Sequence, residues 1–205
     1  MIMGHVTSLF LSTLLILAAV SPAVLAQGDV DKGIPDRNAL ADGRLTQDEI
    51  SKYAELAAKH IQALTAVARE EVGGELKQSG VVIPAAWMMM NDGEVKRVRL
   101  GESGEKAAAT MKVLMFRAAL KSLARHGKIL ATVIVYAGTV EEGEDTRVLA
   151  IEHEHRLGLS GLQVVPYRFD QGDLSFGQPS TQKKPYELFY DGRDAGNEDQ
   201  GPGKT

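Results

Sequence analysis

Cysteine is absent from all 205 residues. That excludes disulfides, thiolate nucleophiles and cysteine-ligated zinc, and with them the lipid-bearing cysteine of a bacterial lipoprotein. The fold must then hold through its hydrophobic core, which a mature chain of about 180 residues is long enough to form. Charge is missing from residues 1–26, MIMGHVTSLFLSTLLILAAVSPAVLA, where an apolar run from Leu9 to Val20 is followed by Pro22 and the small-residue pattern Val24, Leu25, Ala26. The pattern predicts a secretory signal peptide cleaved after Ala26, although only the amino terminus and His5 stand where Lys or Arg is usual. Left uncleaved, the segment would anchor the chain in a membrane. A strong charge imbalance is also missing: the net charge of −4 suits a soluble protein and gives no electrostatic footprint for nucleic acid.

Motifs for phosphate and nucleophile chemistry are missing too. The chain has no P-loop and no G-x-G-x-x-G after a strand. The GLSGL around Ser160 lacks the second glycine of a nucleophile elbow, and no helix follows it. Scattered carboxylates, among 27 acidic residues, stay open as acid–base groups.

What is present reads as one α+β domain over residues 46–190, between a flexible lead-in at 27–45 and a tail at 191–205 too polar to pack. TQDE opens a helix with a capping box, Thr46 to Glu49. Ile50, Tyr53, Ala57, Ile61, Leu64 and Ala68 then form an apolar stripe that is expected to end near Gly73 and Gly74. VVIPAAWMMM, NDGE and VKRVRL predict a β-hairpin, with Pro84 near its start. Ser103 is the expected N-cap of a second helix that stops at Gly127. Ile129 to Tyr136 reads as a central strand covered on both faces. After the EEGED turn, Thr146 to Arg156 returns and LQVVPYRF follows, with Pro166 requiring an edge position or a bulge; DLSFG and YELFY are candidate short strands. The expectation is an antiparallel sheet of about five strands with two helices packed on it, in the order α-β-β-α-β-β-β.

Four candidate sites stand out. IEHEHR, residues 151–156, places His153 and His155 on one face of a strand, with Glu152, Glu154 and Arg156 on the other. Such a pair suits zinc or copper if a third ligand joins it. The remaining mature histidines, His60 and His126, do not mark one, and nothing in the sequence supplies the partner that a pH sensor needs. The preferred reading is that Val148 to Ile151 is buried and the charged half of the strand emerges into water. Asp36, Asn38, Asp42 and Glu49 resemble a calcium-binding loop in its second half, but with 14 positions where about 12 are required. Trp87, Met88, Met89, Met90, Met111 and Met115 offer thioethers to copper(I), but read better as core filling, with Met111 and Met115 on the second helix's apolar stripe. That helix has no acid from Lys106 to Lys128, and Lys112, Arg117, Lys121 and Arg125 are candidates for docking an acidic partner, unless EEGED and AREEVGGE neutralise them within the fold.

The element order is similar to that of profilin-like and roadblock-like folds, in which one sheet carries helices on a face; this resemblance concerns topology and fixes no function. Over residues 129–177, IEHEHR followed by VVPYRF and FG resembles a set of small uncharacterised bacterial proteins, and that resemblance implies no activity. The sequence is read as an exported, periplasmic or secreted, non-catalytic module that binds a protein partner or a small ligand, with no catalytic residue assigned and homodimerisation open. Metal binding through His153 and His155 is the first alternative and calcium at residues 36–49 the second.

Overall fold

A computed structural model describes residues 45–139 and 147–190. The signal segment, Asp36, Asn38 and Asp42 of the lead-in, the EEGED turn and the tail lie outside the described residues. The first helix, α1, spans Gln47–Ser79 and starts with the expected capping box: Thr46 accepts from the Glu49 backbone while the Glu49 carboxylate accepts from Thr46 N–H at 2.7 Å. The stripe is shifted from expectation. Ile50 is exposed, and burial runs from Ala57 through Leu64, Ala68 and Val72 to Leu76. Gly73 and Gly74 therefore do not end the helix. Packing continues past them and outweighs a propensity cost of about 1 kcal/mol per glycine, so the helix ends at Gly80, in the left-handed conformation with φ 69°.

The hairpin forms as expected from β1 (Ala85–Met90) and β2 (Val95–Arg97). The second helix divides in two. A single turn, α2 (Glu102–Glu105), is capped by Gly101, so Ser103 lies inside it rather than at its N-cap; α3 (Ala109–Arg125) follows with Ala108 as its uncapped start. The break comes where α2 folds tightly against its neighbours: a Cβ on the buried Gly104 would stand 2.6 Å from that of Leu100 and 2.9 Å from the end of Met115.

The strands β3 (Ile129–Thr139), β4 (Arg147–His155), β5 (Leu159–Asp170), β6 (Asp173–Phe176) and β7 (Ser180–Lys183) complete one antiparallel sheet. Its order is β2-β1-β3-β4-β5-β6, and β7 also pairs with β5. The sheet thus has seven strands rather than about five. DLSF is a strand as expected, YELFY is not, and STQK takes its place beside β5. The bulge required by Pro166 lies opposite it: Val164 pairs with Ser180 and Tyr167 with Phe176, so Gly177, Gln178 and Pro179 face only two residues of β5.

The helices cover opposite faces of the sheet. On one face α1 packs on Trp87, Met89, Val133, Val135, Leu149, Ile151 and Val165; on the other α3 packs on Ala86, Ile134, Met88, Met90 and Tyr136. The consecutive methionines thus divide between two cores. Met111 is 51% exposed, off the α3 stripe of Val113, Phe116, Leu120 and Ala124. Arg97 fastens the hairpin to α1 by bonding Glu71 and Glu75 while its guanidinium covers the Trp87 ring at 5.2 Å. Glu71 and Glu75 of AREEVGGE therefore answer a strand arginine rather than the basic helix.

Candidate functional site

Strand β4 does not emerge into water. Glu152 is 6%, Glu154 1% and His155 1% exposed, so these three are as dry as Val148 to Ile151, while His153 and Arg156 are half-buried. The reading of those imidazoles as solvated spectators is corrected, because both faces of β4 supply partners. Alternation sends His153 and His155 toward α1, and Glu152 and Glu154 toward the α3 side.

On the α1 side, His155 meets His60, with His155 Nε2 3.0 Å from His60 Nδ1. The Leu157 backbone N–H donates to His155 Nδ1 at 2.9 Å. That bond fixes the proton of the neutral His155 ring on Nε2, which donates to His60 Nδ1 and leaves His60 as the Nε2–H tautomer. His60 Nε2 is buried without a hydrogen-bond partner. Burial, then the facing His60 and Arg156, pushes the His155 pKa down to about 4, and burial lowers that of His60. A buried neutral pair results, and His60 is the charge-sensitive partner that the sequence did not mark. Its signal was present: His60 lies three residues from Ala57 and four from Leu64, on the stripe that α1 buries.

His153 stays half-buried, opposite Val133 and Gly161. The lack of a side chain at Gly161 makes room for it, since a Cβ there would lie 2.7 Å from His153 Nε2. Burial lowers the His153 pKa, against a hydrogen bond with the Ile151 backbone. Both ring nitrogens of His155 have partners inside the protein, and among the described residues no three His, Asp or Glu side chains gather to hold a metal. Of the calcium candidates, Glu49 serves the capping box.

On the α3 side, Glu152 receives Arg117 from α3 through two hydrogen bonds and Tyr136 from β3 at 2.6 Å. Burial alone would raise its carboxyl; the bonds from Arg117 and Tyr136, with the Lys184 charge, hold it below the usual range. Arg117, one of the four docking candidates, thus points inward. Lys112 lies 3.8 Å from Glu105, and Lys121 and Arg125 have contacts of their own.

Glu154 grips a segment without regular structure. Its carboxylate accepts the backbone N–H groups of Glu187 (2.8 Å), Leu188 (2.9 Å) and Phe189 (3.2 Å). The register explains how the segment arrives: β7 ends at Lys183, so Lys184 lies beside Ser160 and Glu154 on the same face and reaches Glu154 at 3.7 Å and Glu152 at 3.9 Å. Residues 184–190 form a strap over the sheet. Leu188 enters the α3-side core, while the Tyr186 and Tyr190 hydroxyls donate to the carbonyls of Gly158 and Arg156 in the β4–β5 turn.

A separate concavity of about 750 Å3 lies by the β5–β6 arm, lined by Arg147, Pro166, Tyr167, Arg168, Phe169, Ser175, Phe176 and Gly177. Arg147, at the start of β4, lines it; Glu152, His153, Glu154, His155 and the strap do not.

The His60–His155 pair makes stability acid-sensitive. Because the folded pKa of His155, about 4, lies below the unfolded value of 6.5, the unfolded chain binds more protons between them. Stability is full above the unfolded pKa and should fall by about 3 kcal/mol as pH drops through that window. Urea unfolding at stepped pH measures this, and His155→Gln should flatten the profile; an unchanged slope in that variant would refute the assignment. Replacing Glu154 by Gln sets an amide donor among three backbone donors and weakens the contact to Lys184. A loss of about 2–4 kcal/mol is expected, with hydrogen exchange quickening first at Glu187, Leu188 and Phe189. Unchanged protection there would count against the carboxylate clamp.

No model of a protein family matches this chain, and neither a curated protein nor a solved structure does, so its function is argued from its own geometry.

Proposed function

We propose that this chain is an exported, non-catalytic module that binds a small ligand or a protein partner. One observation carries the reading. The ionisable groups that β4 gathers, Glu152, Glu154, His60 and His155, are buried and turned to partners inside the protein, whereas among the described residues the concavity beside β5 and β6 is lined without a carboxylate or an imidazole. General acid–base catalysis needs such a group within hydrogen-bonding reach of the substrate. Walls made of guanidinium, aromatic and hydroxyl groups hold a ligand in place and offer it neither a carboxylate nor an imidazole as base. Export is supported by residues 1–26, and the absence of cysteine is compatible with any redox compartment.

The test is a thermal-shift screen of the full chain against small molecules of varied charge and size, followed by mass spectrometry of each binder after long incubation. Compounds that raise the melting temperature should be recovered unchanged. Conversion of a bound compound by wild type, lost in Glu152→Gln, would make the protein an enzyme and overturn the reading.

A further inference from the structure

Four arginines bear on this fold in two different ways. Arg97 bonds Glu71 and Glu75, and Arg117 bonds Glu152 with Glu187 at 4.0 Å. Arg147 and Arg168 are exposed and, among the described residues, form no ion pair; the Arg168 Nε donates instead to the Ser175 hydroxyl at 3.3 Å. Both of these arginines line the same concavity of about 750 Å3. In a chain with net charge −4, two guanidinium groups beside a hollow that, among the described residues, is lined by no carboxylate form a local positive site. The rest of the lining includes three half-buried aromatic residues that also pack on the α1-side core: Tyr167 and Phe169 stand edge to face at 6.4 Å, and Phe176, with Arg69 over its ring at 5.6 Å, lies across from Tyr167 on β6. Pro166 and Gly177 make the floor compact where the strand bulges, with Gly177 N–H donating to the Pro166 carbonyl at 2.8 Å.

We infer that this concavity is a binding site for a small anionic ligand with a flat aromatic body, an aryl carboxylate or aryl phosphate. Guanidinium groups match either headgroup by paired N–H donors. Aromatic walls contribute contact area and ring-on-ring geometry for the ligand's body. The volume falls within the roughly 300–1,000 Å3 of small-molecule sites. The inference rests on the binding-module reading and names its ligand class. It places the site at the opposite end of β4 from Glu152 to His155, which hold the fold together on both faces.

Titration calorimetry on the full chain with three probes of one shape tests it: 2-naphthoate, neutral 2-naphthamide and cationic 2-naphthylmethylamine, with acetate and inorganic phosphate as anions lacking the ring. Saturable binding of 2-naphthoate is expected, with the amide and the amine at least about tenfold weaker, as loss of a charge-assisted bond implies. Acetate and phosphate should bind more weakly still. Arg147→Gln and Arg168→Gln should each weaken 2-naphthoate by about tenfold with unchanged melting temperature. Phosphate binding as well as 2-naphthoate, equal affinity for acid and amide, or no binding of 2-naphthoate to wild type would each overturn the ligand class and leave the module reading standing. Chemical conversion of the probe would instead overturn the module reading. The probe comparison uses wild-type protein, so its outcome does not depend on either variant folding.

Discussion

A strand that carries two carboxylates and two imidazoles through the middle of a sheet can stay there only if both of its faces answer them. In β4 the imidazole face is answered by α1, through His60, and the carboxylate face by Arg117 of α3, Tyr136 of β3 and the strap. The three layers of the domain are therefore tied at one strand. Its apolar half, Val148 to Ile151, contributes burial without direction, whereas Glu152 to His155 contributes bonds that specify which helix and which segment lie where. The strap shows this most plainly. It lacks the strand pairing that would hold it, so the Glu154 carboxylate acts as its ladder, while Tyr186 and Tyr190 fix it to the turn whose Leu157 N–H serves His155. The two faces of β4 thus meet in one turn, Arg156 to Gly158.

Much of the fold was legible in the residues. The capping box at Thr46, the hairpin around NDGE, the central strand from Ile129 and the bulge at Pro166 each follow from a local rule, and each is found. The errors arise where tertiary packing overrides local preference. Gly73 and Gly74 stay helical because α1 still has a sheet beneath it, and the helix after Ser103 breaks because Gly104 is pressed against Leu100. YELFY has the composition of a strand, yet its backbone donors are turned to a carboxylate rather than to a neighbouring strand.

The candidate site was legible in its alternation and not in its depth. Period two correctly sends the histidines one way and the glutamates the other, but a charged run at a strand's end is ordinarily solvent-exposed. The helix stripe containing His60, the basic α3 and Lys184 supply partners that stand far along the chain from the groups they meet, and no local pattern expresses such pairings. The cleft was harder still to foresee. Its two arginines stand on different strands, and their meeting at one hollow is a property of the folded arrangement alone.

The segment of β4 from Glu152 to His155 stabilises the fold, and the proposed ligand site lies at the strand's other end, beside Arg147. The most direct measurement of that account is the ring-nitrogen NMR spectrum of His60 and His155 at neutral pH. Both rings should be neutral Nε2–H tautomers, with a coupling across the hydrogen bond from His155 Nε2 to His60 Nδ1. A charged ring, or a proton on His155 Nδ1, would contradict the account.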